Sequence, residues 1–182
     1  MTNNELETAI FGGGCFWCTE AIFLKLRGVK SVVPGYAGGT IKNPSYYDVG
    51  SGNTGHAEVI RIEFDPSVIS YENLLDVFWH VHNPTSLNRQ GADIGTEYRS
   101  IILYTSDEQK RKIEESKKEL EESKEFENPI VTEIQKLDMF YDAESYHKNY
   151  FEKNKDQPYC QLVIAPKVKH FLEKYGSITV KS

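Results

Sequence analysis

The sequence has few cysteines and lacks the features of a disulfide-stapled, exported or membrane-bound protein. Three cysteines in 182 residues are too few, and odd in number, for a disulfide framework. No apolar run approaches the roughly 20 residues needed to cross a bilayer. The opening MTNNELETAIF lacks the basic start and apolar stretch of a secretory signal. We therefore expect a cytoplasmic protein with reduced thiols that are catalytic, metal-binding or merely buried.

Positively charged residues are outnumbered by acidic ones. Lysine and arginine number 21 against 27 acidic residues, which gives a net charge of −6. A mildly acidic chain has no bulk attraction for nucleic acid or anionic membranes, so we predict neither as a partner. The length is sufficient to bury a core without disulfide bonds. We expect a single catalytic domain over residues 1–182, acting as a monomer.

The hydrophobic pattern predicts alternating strands and helices in the first two thirds of the chain. Strands are predicted at 8–12, 29–36, 56–64 and 98–104, and helices at 16–26 and 71–82. This order, βαββαβ, is that of a ferredoxin-like two-layer sandwich of the α+β class. A doubly wound sheet is the alternative. C-terminal helical and strand extensions follow: helices at 106–126, 143–153 and 168–175, and strands at 130–134 and 159–164.

The ferredoxin-like order would gather scattered polar residues at one edge of the sheet. The first strand would lie between the third and fourth strands, antiparallel to both. Its C-terminal end, followed by Cys15, would therefore meet the beginnings of the other two, near Glu58 and Tyr98. The two long loops that carry Tyr46 and Asp93 end at the same edge. We expect these five residues to lie together.

The stretch GGGCFWCTE places Cys15 where a nucleophile would be activated. It follows a glycine-rich turn and opens a predicted helix, whose free N–H groups and dipole favour a thiolate. A thiolate, unlike a thiol, is a strong nucleophile. The alternative is a buried structural cysteine beside a tight turn.

Strand alternation gives Glu58 an unusual position. In HAEVIRIEF it shares a face with Ile60, Ile62 and Phe64, whereas Val59, Arg61 and Glu63 are assigned to the solvent face. A carboxyl withdrawn from water has a raised pKa and can serve as a general acid. The alternative is a strand-end glutamate that leans into solvent.

The residues around Cys15 allow other interpretations. Phe16 and Trp17 either wall an apolar pocket or pack in the core. Cys15 and Cys18 form a CxxC pair, but no second CxxC or HxxxH motif completes a zinc site, so we predict no metal. GGGC lacks the lysine and hydroxyl of a phosphate-binding loop.

Taken together, these blocks resemble the peptide methionine sulfoxide reductases of the A type, which act on the S epimer. GGCFWCTE is similar to the GCFWG signature of that family. GYAGG, NPSYYDVGSGNTGHAEVIRIEFDP and RQGADIGTEYRS follow as its other blocks in the same order. The similarity extends over about residues 8 to 165, and several blocks in sequence are more specific than any one alone.

The resemblance implies a mechanism of sulfoxide reduction. Cys15 would attack the sulfoxide sulfur, and Glu58 would protonate its oxygen, to which Tyr46 and Tyr98 would donate hydrogen bonds. Cys15 would be left as a sulfenic acid while methionine leaves. A second thiol would close a disulfide.

The same resemblance implies the surroundings of this chemistry. Phe16 and Trp17 would enclose the S-methyl group, and Asp93 would hold the polar network. The substrates would be oxidised proteins and peptides, and thioredoxin would reduce the disulfide by exchange. No metal or organic cofactor is implied.

The sequence departs from the family pattern at the position of Cys18, where glycine is usual. The resolving cysteine of the family commonly lies in a C-terminal tail after a tyrosine, and Tyr159–Cys160 partly matches. However, the following QLVIAPKV is typical of a strand rather than a flexible tail. Cys18, one helical turn from Cys15, is an equally good resolving thiol. The sequence leaves both open.

Two other functions use the same thiols. A thiol–disulfide oxidoreductase would use the CxxC pair directly, but this does not explain Glu58, Tyr46 and Tyr98 at the same edge. A non-enzymatic thiol sensor is the weaker alternative.

Overall fold

The four strands predicted for the core form the centre of one sheet in the computed structural model, which describes residues 5–181. Strand β1 (Glu7–Gly12) pairs antiparallel with both β3 (Ala57–Phe64) and β6 (Ile101–Tyr104). Strand β2 (Val29–Ala37) pairs antiparallel with β3. The predicted flanking of the first strand by the third and fourth core strands is confirmed. The doubly wound alternative is wrong because the central pairs are antiparallel.

Two short strands extend the sheet at its edges. Strand β7 (Glu133–Lys136) joins β6 in parallel, and β8 (Phe140–Asp142) joins β2 antiparallel. The sheet therefore has six strands in the order β7-β6-β1-β3-β2-β8. The predicted strand at 130–134 begins three residues later than expected, and β8 was not predicted. The fold is a mixed sheet with helices, of the α+β class.

Helices cover one face of this sheet. They are α1 (Phe16–Phe23), α3 (Tyr71–Val81) and α4 (Asp107–Ser123), and their buried residues join Phe11, Ile60, Ile62 and Phe64 in one core. Ser70 caps α3, because its side chain accepts a hydrogen bond from the Asn73 N–H. The predicted helix at 16–26 ends at Phe23, three residues early.

The opposite face of the sheet is not left to solvent. Val59, assigned to that side, is fully buried with Ala57 and Leu103 in a second, smaller core. Leu137, which precedes β8, and Phe140, its first residue, pack over this core. The assignment of Val59 to solvent is therefore wrong, because an unpredicted edge segment folds over the sheet.

The two long loops carry short elements that bring polar residues to the sheet edge. The first contains α2 (Tyr46–Gly50), which is capped by Ser45. The second contains a small hairpin, β4 (Arg89–Gln90) with β5 (Asp93–Ile94), and a 3₁₀ turn at Thr96–Tyr98. The predicted strand at 98–104 begins only at residue 101, so Tyr98 belongs to the turn.

The C-terminal part is helical where a strand was predicted. Residues Cys160–Ile164 form a π-helical turn that continues into α6 (Ala165–Tyr175), so the strand at 159–164 is wrong. The apolar run QLVI suggested a strand, but only Cys160 and Ile164 in that turn are buried, at helical spacing. The helix predicted at 143–153 is broken into a 3₁₀ turn, Ser145–His147, and α5 (Tyr150–Lys153). Within residues 5–181, no helix has both the length and the apolar character of a membrane span.

Candidate active site

The glycine run before Cys15 lets the segments that carry Tyr98 and His82 approach closely. Gly14 adopts a φ of +88°, a left-handed conformation that favours glycine, and its N–H donates to the Tyr98 carbonyl at 3.2 Å. A side chain at Gly13 would meet the His82 ring at 2.9 Å. Cys15 then serves as the N-cap residue of α1 and is 7% exposed. The turn thus places the Cys15 sulfur next to Tyr98 and the first turn of α1.

Glu58 lies beside the first turn of the same helix. Its Oε2 accepts a hydrogen bond from the Phe16 backbone N–H at 3.0 Å, and the residue is 2% exposed. Burial raises the pKa of Glu58 to about 8, and repulsion from Glu97 and Asp93 adds to it, although the Phe16 N–H opposes the shift. The solvent-facing alternative is therefore wrong. This carboxyl is protonated near neutral pH.

Tyr46 and Tyr98 are half-buried donors near that carboxyl. The Tyr46 N–H donates to Glu144 at 3.1 Å, and the other carboxylate oxygen of Glu144 accepts from the Tyr36 hydroxyl at 3.0 Å. Burial, followed by the charge of Glu58, raises the pKa of both Tyr46 and Tyr98. Both phenols therefore stay protonated and can donate hydrogen bonds.

Phe16 and Trp17 share one partner, His147. The rings of Phe16 and His147 lie 5.0 Å apart, and the Trp17 indole N–H donates to Nδ1 of His147 at 3.0 Å. Trp17 also stacks on Tyr150, with a centroid distance of 3.7 Å and an interplanar angle of 5°. His147 and Tyr150 were not predicted. The segment DAESYHKNY holds both, but its assignment to a single helix gave no sign that two of its rings face the site.

The two thiols of the CxxC pair form a hydrogen-bonded unit. The Cys18 N–H donates to the Cys15 carbonyl at 3.1 Å, and the two side chains are hydrogen-bonded to each other. Burial raises the pKa of Cys15, and the neighbouring Cys18 and Glu58 raise it further. The hydrogen bond from Cys15 lowers the pKa of Cys18, with Lys167 acting in the same direction. The pKa of Cys15 is thus raised while that of Cys18 is lowered, so Cys18 is the more readily ionised thiol of the pair. This is the reverse of the order expected from the position of Cys15 at the start of the helix.

Asp93 reaches this unit through Tyr159. The Tyr159 hydroxyl donates to Asp93 Oδ2 at 2.6 Å and lies 3.9 Å from the Cys18 sulfur. Nζ of Lys167 lies 3.9 Å from the same sulfur. Neither Tyr159 nor Lys167 was among the predicted site residues, since both come from the C-terminal segment.

Cys160 is fully buried at the start of the π-helical turn. Burial raises its pKa, and the nearby Cys18 raises it further. All three cysteines are free thiols in this structure. In the part of the chain that the structure describes, no group of three or more His, Cys, Asp or Glu side chains could hold a metal ion.

Comparison with known proteins gives one consistent family. A sequence model described as peptide methionine sulfoxide reductase matches residues 7–179. The peptide methionine sulfoxide reductase MsrA of Nautilia profundicola is 55% identical over 172 residues, which cover 92% of this chain and 95% of the relative. The MsrA of Saccharolobus solfataricus is 52% identical over 170 residues, covering 93% and 95% of the two chains.

Solved structures agree. Mxr1 from Saccharomyces cerevisiae in reduced form is 34% identical, with a TM-score of 0.80, and the match covers 87% of this chain and 91% of that one. Mxr1 in complex with Trx2 is also similar in fold, with a TM-score of 0.58 at 23% identity over 81% of this chain and 86% of that one.

Proposed function

The chain belongs to the peptide methionine sulfoxide reductase family, and from that premise we propose how its site performs the reaction. The protein is a peptide-methionine (S)-S-oxide reductase that uses thiols to repair oxidised methionine. The mechanism rests on the carboxyl of Glu58 on β3, which is buried against the first turn of α1 and has a pKa raised to about 8.

The first step transfers oxygen from the substrate to Cys15. The Cys15 sulfur attacks the sulfoxide sulfur while Glu58 gives its proton to the sulfoxide oxygen. Tyr46 and Tyr98 donate hydrogen bonds to that oxygen as its charge develops. The attack forms a bond between the two sulfurs. The protonated oxygen then passes from the substrate sulfur to the Cys15 sulfur as the sulfur–sulfur bond breaks, so that methionine leaves and Cys15 is a sulfenic acid.

The thiol pair supplies the nucleophile for this step. We place the resting negative charge of the pair on Cys18, hydrogen-bonded to the Cys15 thiol, because the pKa of Cys15 is raised and that of Cys18 is lowered. As Cys15 attacks, its proton passes along that hydrogen bond to Cys18. The attacking sulfur thus carries the charge only while it bonds to the substrate.

Phe16 and Trp17 bind the S-methyl group of the substrate in this mechanism. Phe16 is buried, and Trp17 is fixed by its hydrogen bond to His147 and its stacking on Tyr150. Asp93 holds the Tyr159 hydroxyl in place beside Cys18. A methyl group in contact with two aromatic rings favours one arrangement of substituents on the sulfur, which is consistent with S-epimer selectivity.

Cys18 closes the first disulfide, and Cys160 receives the oxidation afterwards. Cys18 lies in the first turn of α1, hydrogen-bonded to Cys15, whereas Cys160 is buried and close to Cys18. Thioredoxin then reduces the disulfide by thiol exchange. The structure of Mxr1 with Trx2, a protein of similar fold, supports a partner of this kind.

The strand order β6-β1-β3-β2 supports a ferredoxin-like description of the core, extended by β7 and β8. We also propose that residues 1–182 form a single catalytic domain and that the protein is a monomer.

The test is an epimer-specific assay of the purified protein with a blocked methionine sulfoxide and dithiothreitol. We expect methionine from the S epimer but not from the R epimer, and none from a Cys15→Ser variant. Reduction of insulin disulfides without any sulfoxide reduction would instead establish a thiol–disulfide oxidoreductase.

A further inference from the structure

The Cys18 sulfur is enclosed by groups from the far end of the chain. Nζ of Lys167, in the first turn of α6, lies 3.9 Å from it and donates to it. The Tyr159 hydroxyl lies at 3.9 Å as well, held by Asp93. Cys18 is 3% exposed, so little water is available to solvate a charge on this sulfur. A thiolate in such a place needs a cation against it.

The other groups that face the thiol pair do not supply that cation. Glu58 on β3 and Asp93 on β5 are acidic and disfavour a thiolate, as does the thiol of Cys160 when ionised. The remaining titratable neighbours are the phenols Tyr46, Tyr98 and Tyr159. Of these groups, Lys167 alone brings positive charge.

We propose that Lys167 is a positioning residue for the sulfur chemistry, because its ammonium group allows the Cys15–Cys18 pair to carry one negative charge at neutral pH. The charge itself follows from the contact between Lys167 and Cys18. Its use in sulfoxide reduction rests on the proposed function.

The charge serves both halves of the cycle. In the first half, the Cys18 thiolate accepts the Cys15 proton. In the second, the Cys18 sulfur attacks the sulfenic sulfur of Cys15, so that an S–S bond forms and the S–O bond breaks. The proton that Cys18 had received leaves with that oxygen and the sulfenic hydrogen as water. The two thiols together have then supplied the two electrons that reduced the sulfoxide.

The surroundings of Lys167 suggest a substitution that keeps the packing. Its side chain lines a cavity of about 270 Å³ between α3 and α6, together with Val81, Phe171 and Tyr175. Methionine has a similar length and an apolar stem, so Lys167→Met removes the charge with little loss of contact. Lys167→Arg keeps the charge, and Lys169→Met removes an exposed charge from the same helix.

The experiment is a titration of thiolate ultraviolet absorbance in a Cys160→Ser background, so that only the pair is observed. We expect Lys167→Met to lower the first ionisation constant of the pair about tenfold, a rise of about one pKa unit. Lys167→Arg should retain most of the ionisation, and Lys169→Met should not change it. Superimposable curves for Lys167→Met and the parent protein would overturn the proposal.

A second measurement separates loss of charge from damage to packing. After one turnover with the S epimer, dimedone trapping reports how long the Cys15 sulfenic acid persists. At neutral pH we expect about tenfold longer persistence in Lys167→Met, and recovery when the pH is raised above the shifted pKa. A packing defect would not recover with pH. Because the titration needs no substrate, it tests the charge on the thiol pair independently of the sulfoxide reductase activity.

Discussion

The indole N–H of Trp17 donates a hydrogen bond to Nδ1 of His147, which lies 130 residues further along the chain. Since Nδ1 accepts this bond, the proton of the neutral imidazole is on Nε2, a buried atom with no hydrogen-bond partner among the described residues. Burial lowers the pKa of His147, which keeps the ring neutral and the acceptor available. The orientation of the indole thus depends on the protonation state of a distant histidine.

Replacing His147 by phenylalanine should therefore release Trp17 without emptying the space. We expect kcat/KM to fall about tenfold, equivalent to roughly 1.4 kcal/mol, as the indole N–H loses its partner. Steady-state kinetics with the S epimer would measure this effect. His170→Asn, a change at an exposed histidine of α6, is the matched control. An unchanged kcat/KM in His147→Phe would show that the hydrogen bond does not position Trp17 for the reaction.

The rate of the sulfoxide step should fall at high pH because Glu58 then loses its proton. Its folded pKa is about 8, so the carboxyl is protonated below that pH and loses the donated proton as the pH rises through it. Glu58→Gln should slow methionine release by about a hundredfold or more and abolish that fall at high pH. Single-turnover rates across the pH range would measure both effects. Glu63→Gln, an exposed glutamate on the same strand, should behave as the parent does; a near-normal Glu58→Gln rate would remove the general-acid role.

The cysteine variants should show at which step of the cycle each of the two candidate resolving thiols, Cys18 and Cys160, acts. Cys18→Ser should still release one methionine per molecule, more slowly, and accumulate the sulfenic acid, because its hydrogen-bonded neighbour is lost. Cys160→Ser should close the Cys15–Cys18 disulfide at the normal rate. Thiol counts and mass spectrometry after one turnover would identify the pairs. Normal thioredoxin-driven turnover in Cys18→Ser would assign the resolving role to Cys160.

A second buried carboxyl should make stability depend on pH. Glu20 on α1 accepts a hydrogen bond from the Asn149 N–H at 2.6 Å, and burial raises its pKa from 4.5 to about 7. Between these values the unfolded chain gives up the proton and the folded chain keeps it, so the free energy of unfolding falls as the pH rises. Above about 7 this contribution is constant.

Glu20→Gln should therefore make the decline in the free energy of unfolding between about pH 5 and pH 7 shallower, while the part due to Glu58 remains. Urea unfolding at several pH values would measure it. Glu173→Gln, a change at an exposed carboxyl, should leave the slope as it is. An equally steep slope in Glu20→Gln would mean that this carboxyl titrates normally in the folded protein.

Local pattern was sufficient for those parts of the site that depend on one element. Alternation along β3 placed Glu58 on the buried face, and the glycine run marked the approach to Cys15. The same alternation was wrong for Val59, because the segment with Leu137 and Phe140 that covers it is remote in sequence. The alternation along a strand predicts which face of the sheet a side chain lies on, but not which other segment covers that face.

Contacts from the C-terminal segment could not be predicted. The pairing of Trp17 with His147 and of Cys18 with Lys167 joins residues more than 100 positions apart, with no periodicity to connect them. The sequence predicted a thiolate at Cys15 because the groups that lie against Cys18 are equally remote along the chain. Helix position alone favours the first cysteine, whereas in the structure the hydrogen bond from Cys15 and the ammonium group of Lys167 on α6 both lower the pKa of Cys18.

Because ribosomes make proteins from the N-terminus, this arrangement has a consequence for synthesis. The cysteines of GGGCFWC emerge early, but His147, Tyr159 and Lys167 are translated more than a hundred residues later. Until then, nothing fixes the indole and no ammonium group lies against Cys18. The contacts that hold the indole and place an ammonium group against Cys18 therefore form only after the segment with His147, Tyr159 and Lys167 has been made.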